Sequence, residues 1–309
     1  MKRILIVFLL LAAASAHVAA QEKFPMITIP EEITDHVARA KYLGEHYWDN
    51  VDFNTVSDEV LEQGFVDMVS IFMLLDDEAL DRSWAAAVKR AEASKTGVVR
   101  LLALGDKYLY GVSSPMYNES AYRSLLRAGL VSKKIAKADK TPYQKQLVLL
   151  EMNNEGSAAV DFEFEQADGT RSKLSEVVSP VTILFFYDPD CVDCKIERFR
   201  LTQARMTSYL QRAGGVTVLA MFPSADAAAW DKHKSDIPAD WINARDVTGR
   251  LKSENLYDLR AMPRIYLLDD KKQVLLKNTT AEQIETYLTE VMRNAAQSQA
   301  AEGAAEAAE

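Results

Sequence analysis

The stretch Asp188-Pro189-Asp190-Cys191-Val192-Asp193-Cys194-Lys195 contains the only two cysteines of this 309-residue chain. Residues 181–187, just before it, form a continuous apolar and aromatic run with the length of a buried strand. Residues 191–212 have a helical pattern that stops at Gly214-Gly215. The stretch therefore predicts a strand, a short acidic turn and a helix that carries a C-x-x-C motif in its first turn.

The C-x-x-C spacing allows the two sulfurs to meet. Positions three apart share one face of a helix, with Cβ atoms about 5–6 Å apart, so Cys191 and Cys194 can form a disulfide without unfolding. Cys191 lies at the helix start, where unpaired N–H groups and the helix dipole stabilise a thiolate. We expect a redox-active pair in which Cys191 attacks a disulfide and Cys194 resolves the mixed disulfide.

A bare C-x-x-C is also compatible with a structural disulfide or with half of a metal site. Zinc takes four ligands, but the chain has no second cysteine pair, and its histidines are scattered at positions 17, 36, 46 and 233. We therefore expect no metal and no cofactor. A chain of this length can bury its own hydrophobic core and does not need a single short disulfide for stability. The close cysteine pair therefore favours redox chemistry. The alternative is a non-catalytic periplasmic binding protein whose Cys191–Cys194 disulfide is structural.

The sequence pattern divides the chain into two regions. Residues 33–150 have apolar positions at helical spacing and few strand signals, which predicts an all-α domain over residues 21–152. Beyond the polar segment 153–157, strands predicted at 160–165, 181–187, 216–222, 264–268 and 273–277 alternate with helices, which indicates an α/β layer with a mixed sheet. A last helix is predicted at residues 281–293, and the Ala- and Glu-rich tail, residues 294–309, is predicted to be disordered.

Residues 158–293 resemble the thioredoxin-like proteins of the thiol-disulfide reductase and alkyl-hydroperoxide-reductase superfamily. The resemblance rests on Val160-Asp161-Phe162, on the block from Leu184 to Cys194, and on Leu259-Arg260-Ala261-Met262-Pro263-Arg264. It implies a thioredoxin-like fold, with helices flanking a mixed central sheet, preceded by the helical domain. It also implies that Pro263 is a cis proline facing the dithiol and that the backbone of Met262 binds the incoming peptide substrate.

Two positions depart from the pattern of this superfamily. The buried acid that thioredoxins commonly carry six positions before the first cysteine is replaced by Phe185, and the aromatic residue before that cysteine is replaced by Asp190. These departures favour a specialised partner. A peroxidase of the superfamily would place Pro seven and Thr or Ser three residues before its reactive cysteine, and neither cysteine fits, so we do not expect peroxide reduction.

The helical half resembles, more loosely, a helical domain of unknown function that precedes thioredoxin-like domains in exported bacterial proteins. The resemblance is carried by His46-Tyr47-Trp48-Asp49-Asn50-Val51-Asp52-Phe53. The aromatic side chains of Tyr47, Trp48 and Phe53 could form an exposed patch for a partner, but aromatic residues at a helix end are more often part of a core.

The N-terminus has the pattern of a cleaved signal peptide at residues 1–20: Lys2 and Arg3, an apolar run, and small residues before Gln21. The apolar run is too short to span a bilayer, and no cysteine lies near the cleavage point to carry a lipid. We therefore expect a periplasmic or secreted protein without a membrane span. The formal net charge of −9 argues against a nucleic-acid partner. The expected function is a periplasmic thiol-disulfide oxidoreductase that reduces protein disulfides with electrons from a membrane or periplasmic donor.

Overall fold

The structure, a computed structural model, describes residues 23–306 and their side chains up to residue 300. The predicted signal peptide, residues 1–20, lies outside the described residues. The chain forms two compact units, one that ends at Gly97 and one that begins at Val98. This division falls earlier than the polar segment 153–157, and the predicted domain boundaries stay predictions.

From residue 23 onward, the first unit contains three α-helices, and each begins directly after a polar capping residue. The side chains of Asp35, Ser57 and Asp76 accept hydrogen bonds from the backbone N–H three residues further on. Such caps satisfy N–H groups that have no partner inside the helix. The helices are α1 (His36–His46), α2 (Asp58–Val69) and α3 (Asp77–Ala91), with a 3₁₀ turn at Phe72–Leu74.

The aromatic residues at the end of α1 belong to the core of the first unit. Tyr47, Trp48 and Phe53 are each no more than 2 % exposed. Trp48 Nε1 donates a hydrogen bond to the sulfur of Met68 at 2.8 Å. The interpretation of these residues as core is confirmed, and they do not form an exposed patch.

The second unit begins with helices. These are α4 (Gly97–Gly105), followed by a π-helical turn at Asp106–Tyr110, then α5 (Glu119–Leu130) and α6 (Lys137–Glu151). Helix α6 begins four residues before the predicted start at Thr141. Its first turn is held by Lys140, whose Nζ donates to the carbonyl oxygens of Leu130 and Ser132, each at 2.6 Å.

A mixed sheet follows these helices. Its strands are β1 (Glu163–Gln166), β2 (Arg171–Lys173), β3 (Val181–Phe186), β4 (Val216–Phe222), β5 (Ile242–Arg245), β6 (Arg264–Leu268) and β7 (Val274–Leu276). The order of the seven strands seen in residues 23–306 is β2-β1-β5-β4-β3-β6-β7. The pairs β3–β4 and β4–β5 are parallel, and the other pairs are antiparallel.

Strands β2 and β5 have no clear signal in the sequence. Both are short, and Asn243 and Arg245 interrupt the apolar pattern of β5. Strand β5 forms because β4 and β1 offer hydrogen-bonding edges on its two sides. A salt bridge of 2.7 Å between Arg245 and Glu165 joins it to β1.

The sheet is covered by helices α7 (Val192–Gln203), α8 (Arg205–Arg212), α9 (Ala227–His233), α10 (Arg250–Ser253) and α11 (Ala281–Glu306). The sequence predicts one helix over residues 191–212, but the chain breaks at Ala204, which has an extended ψ of 118°. The new N-terminus is capped from another helix: Glu285 of α11 accepts hydrogen bonds from the backbone N–H of Met206 and Thr207 at 2.7 and 3.0 Å.

Side chains along β3 alternate between the two faces of the sheet, and each face has its own hydrophobic core. Ile183 and Phe185 pack on one face of the sheet, in the cluster that contains Cys194. Leu184 and Phe186 pack on the other face. The dithiol helix thus stands against one fully buried face of a central strand.

The last helix differs from its prediction, because α11 continues to Glu306 and does not end near Arg293. Residues 294–300 are exposed, and the sequence beyond residue 293 is rich in Ala, Gln and Glu, which favour helix without any tertiary contact. Residues 307–309 of the predicted disordered tail lie outside the described residues. Between residues 23 and 306, no helix is long and apolar enough to cross a membrane.

Candidate functional site

The two cysteines lie at the start of α7, and the structure joins them as a disulfide. Their Cα atoms are 5.3 Å apart, which is inside the usual range for a disulfide. Cys191 occupies the N-cap position, where its Sγ accepts a hydrogen bond of 3.0 Å from the backbone N–H of Cys194. This donor favours a negative charge on Sγ when the pair is reduced.

The two sulfurs differ in their access to solvent. Cys191 is half-buried at the surface, whereas Cys194 is only 3 % exposed and packs in the core beside β3. An incoming disulfide can therefore reach Cys191 but not Cys194. This asymmetry matches the roles of attacking and resolving cysteine.

The acidic turn before the dithiol is built by Asp188. Its Oδ1 accepts from the backbone N–H of Asp190 at 2.9 Å, and its carbonyl oxygen accepts from the N–H of Cys191 at 3.1 Å. Asp188, Asp190 and Asp193 are all exposed. The Asp188 carboxylate thus shapes the turn, and all three carboxylates face solvent.

The loop before β6, the strand next to β3, approaches the dithiol. The Met262–Pro263 peptide bond is cis, as the resemblance predicts. The carbonyl oxygen of Met262 lies 3.4 Å from Cys191 Sγ. The structure thus brings Met262 and Pro263 together with the cysteines, while their role in substrate binding stays a prediction.

Comparisons with known proteins agree with this geometry. Residues 12–154 match the model of a domain of unknown function, DUF5106. The crystal structure of a thioredoxin-like protein from Bacteroides caccae ATCC 43185 shares 32 % sequence identity, with a TM-score of 0.80, over 87 % of this chain and 98 % of that chain. This chain belongs to the same thioredoxin-like family.

Two further structures match less than half of the chain. The C-terminal domain of an uncharacterized protein from Bacteroides fragilis NCTC 9343 is 34 % identical over 44 % of this chain and 98 % of its own, with a TM-score of 0.44. A domain of a possible thiol-disulfide isomerase from Cytophaga hutchinsonii ATCC 33406 is 27 % identical over 48 % and 99 %, with a TM-score of 0.41. A comparison with curated proteins gives no match.

Aromatic residues occupy the space behind the dithiol where many thioredoxins hold an acid. Phe185 is fully buried and stacks on Tyr187 at 6.0 Å between ring centroids. The hydroxyl of Tyr187 donates to Asn243 Oδ1 at 3.2 Å. Burial raises the pKa of Tyr187 to about 12, so this hydroxyl stays protonated at neutral pH.

Sequence reasoning missed a buried carboxylate on the dithiol helix. Glu197 is 8 % exposed; its Oε2 accepts from the backbone N–H of Ala281 at 2.8 Å, and its Oε1 accepts from Arg200 at 2.7 Å. It therefore fixes α7 against the start of α11. Its spacing from Cys194 and Leu201, which places all three on one helix face, is the signal that could have revealed it.

A second buried carboxylate lies four residues before Met262. Asp258 is 4 % exposed and binds Arg260 and Arg264. Burial alone would raise the pKa of Asp258, but hydrogen bonds from Arg260 and the charges of both arginines hold it below its usual value. The sequence shows two arginines around Met262-Pro263 but contains no signal for their shared partner.

Among residues 23–306, no group of three or more His, Cys, Asp or Glu side chains could hold a metal ion. The residues that the structure brings together at this site are the dithiol, the Met262-Pro263 loop and the buried residues that support them.

Proposed function

We propose that this protein is a thiol-disulfide oxidoreductase that reduces protein disulfides through Cys191 and Cys194. The observation that carries the proposal is the asymmetry of the pair: Cys191 is accessible at the N-cap of α7, and Cys194 is buried one turn further along. A disulfide with a purely structural role has no need of a solvent-accessible sulfur at a helix N-terminus.

The proposed reaction transfers two electrons. The Cys191 thiolate attacks one sulfur of the substrate disulfide, forms a mixed disulfide with it and releases the other substrate sulfur as a thiolate. The Cys194 thiolate then attacks Cys191 Sγ, which forms the Cys191–Cys194 disulfide and releases the second substrate sulfur. The substrate disulfide is reduced, and the dithiol is oxidised. A dithiol donor must return the enzyme to its reduced form.

The Met262-Pro263 loop supports a protein substrate in this scheme. The Met262 carbonyl lies beside Cys191 Sγ, so it can accept a hydrogen bond from the backbone of a peptide whose disulfide reaches that sulfur. A peptide held in this way gains orientation, which accelerates the attack.

We further propose that the protein works in the periplasm, after removal of residues 1–20, and receives electrons from a membrane or periplasmic dithiol donor. The basic start, apolar run and small residues before Gln21 support export. Fractionation of cells that express the full chain, followed by N-terminal sequencing, tests this. A cytoplasmic protein that keeps Met1 would contradict it.

Turnover of a model disulfide-linked peptide by the reduced full-length protein tests the proposed function. We expect Cys191→Ser to abolish reduction and Cys194→Ser to accumulate a mixed disulfide through Cys191. Ser298→Ala, at an exposed position near the end of α11, is the control and should keep wild-type turnover.

The opposite result would identify a structural disulfide. If wild-type protein fails to reduce the peptide, and Cys191→Ala lowers the free energy of unfolding by about 2–4 kcal/mol, the disulfide has a structural role. The binding-protein alternative would then replace the enzyme.

A further inference from the structure

The loop that carries Met262 is fastened to a buried carboxylate and to the helical part of the second unit. We infer that Asp258 and Arg260 are positioning residues: they hold the Met262 carbonyl beside Cys191 and so determine how a peptide disulfide is bound. The role in peptide binding rests on the proposed function, whereas the role in placing the loop does not.

The first contact is a bidentate salt bridge between Arg260 and Asp258, called the fork below. Arg260 Nε donates to Asp258 Oδ1 at 2.8 Å, and its NH2 group donates to Oδ2 at 2.7 Å. A bidentate bond of this kind fixes both the distance and the orientation of the two side chains. Because the two residues are only two positions apart, the fork fixes the path of the chain immediately before Met262.

The second contact closes the loop around Met262. Arg264 NH2 donates to the same Oδ2 of Asp258 at 3.3 Å, across six positions of sequence. Arg264 is also paired with Phe186 in the register of the central strands. Met262 and Pro263 therefore lie inside a ring closed by Asp258 at one end and by the first residue of β6 at the other.

The third set of contacts comes from the segment before α5, namely from Tyr110 at the end of the π-helical turn and from Tyr117 in the loop that follows. Arg260 NH1 donates to the carbonyl oxygen of Tyr110 at 3.0 Å, and its guanidinium lies 3.3 Å from the centroid of the Tyr110 ring. Arg264 NH2 lies 3.4 Å from the hydroxyl of Tyr117, which donates to Glu119 at 2.6 Å. Tyr110 and Tyr117 thus hold the two arginines in place.

These contacts form a continuous path from Tyr110 through Arg260 and Asp258 to the loop whose carbonyl lies 3.4 Å from Cys191 Sγ. The carboxylate in this path is buried, because Asp258 is 4 % exposed, whereas the Arg260 side chain that binds it is 35 % exposed. Lysine cannot reproduce the planar fork of Arg260. A displacement of the carbonyl by about 1 Å is enough to disturb peptide binding strongly.

The test compares Arg260→Gln and Arg260→Lys with Arg127→Gln in the full-length protein. Arg127 makes an equivalent fork to Glu151, at 2.7 and 2.9 Å, between α5 and α6. Two reactions are measured for each reduced variant: reduction of a disulfide-linked peptide, which uses the loop, and reduction of a small aromatic disulfide, which uses Cys191 and Cys194 but not the loop. A third readout is the ¹³C-methyl NMR signal of Met262, assigned with Met262→Leu.

We expect both Arg260 variants to raise KM for the peptide about tenfold while the rate with the small disulfide stays within about twofold. The Met262 methyl signal should shift in both, and Arg127→Gln should change neither the kinetics nor the signal. Arg260→Lys keeps the charge beside Asp258, so it provides a folded variant if Arg260→Gln does not fold.

Two results would overturn the inference. An unchanged Met262 signal in Arg260→Lys would show that Arg260 does not place the loop. Equal losses with peptide and small disulfide would show a general loss of structure and no positioning role. If wild-type protein reduces neither compound, the proposed function fails, but the NMR signal still decides whether Arg260 holds the loop.

Discussion

The two cysteines of the motif are three positions apart, yet the fold gives them different environments. Cys191 precedes the first turn of α7 and remains accessible, whereas Cys194 has turned into the core. The difference arises from helix geometry, because the N-cap residue extends away from the face that packs on the sheet.

This difference predicts the order of alkylation. When the reduced native protein is treated with a limiting amount of iodoacetamide, we expect the label on Cys191 long before Cys194, which is only 3 % exposed. Peptide mass spectrometry measures the two sites separately. The urea-unfolded protein is the control and should be labelled at both. Equal labelling of the native protein would contradict the roles assigned to the two sulfurs.

The lowered pKa of Asp258 predicts that the free energy of unfolding depends on pH. Its pKa is lowered in the folded state, so its contribution is complete above the unfolded value of about 3.9 and is lost as the pH falls through the lower folded value. We expect Asp258→Asn to be less stable than wild type at pH 7, with a difference that shrinks below about pH 4.

Urea unfolding between neutral and acidic pH measures this effect of Asp258. Asp270→Asn, at an exposed position, is the control and should leave stability unchanged at pH 7. A difference between Asp258→Asn and wild type that stays constant down to the most acidic pH would show that the carboxylate does not depend on its arginines.

Among the helices, α8 depends on another helix for its cap. Its own N-cap residue is Ala204, which has no side-chain acceptor, and Glu285 of α11 takes that role. Burial would raise the pKa of Glu285, but its bonds to the N–H groups of Met206 and Thr207 lower it. The break between α7 and α8 is therefore stabilised from outside the segment.

We expect Glu285→Gln to lower the free energy of unfolding by about 1–2 kcal/mol, because a charged acceptor at two backbone N–H groups is replaced by a neutral one. Denaturant unfolding at pH 7 measures the change. Glu290→Gln, an exposed position on the same helix, should have no effect. A loss of equal size in both variants would refute the capping role.

On the scale of the whole second unit, the helices before the sheet and the sheet itself share buried charges. Glu119 at the start of α5 forms a salt bridge of 3.1 Å with Lys277 and accepts from Asn278 at 2.6 Å. Lys277 also contacts the carbonyl oxygens of Leu150 and Met152 at the end of α6. These contacts join α5, α6 and the end of β7.

Removal of the positive charge of Lys277 should destabilise α5 and the sheet together. We expect Lys277→Met to lower the free energy of unfolding by about 3 kcal/mol, because the mostly buried Glu119 then loses the cation that contacts it directly. Hydrogen exchange should accelerate in both α5 and β3. The control Lys271→Met, at an exposed position, should change neither. Acceleration confined to α5 would mean that the two parts unfold separately.

Local sequence determined much of this protein. Strands β4 and β6 begin and end as predicted because their apolar residues are consecutive, and β3 ends one residue early. The reactive pair was predictable because its chemistry needs only a spacing of three and a helix start. Met262 and Pro263 were identified through family resemblance, since nothing in their immediate neighbours distinguishes them from an ordinary loop.

Tertiary structure decided the features whose partners lie far along the chain. Glu197 caps a helix 84 positions away, Glu285 caps one 78 positions away, and Arg260 binds a carbonyl 150 positions away. Strand β5 likewise formed because two edges were available beside it. Periodicity reports which face of an element is buried, but the partner of a buried charge is set by which distant elements the fold brings to that face.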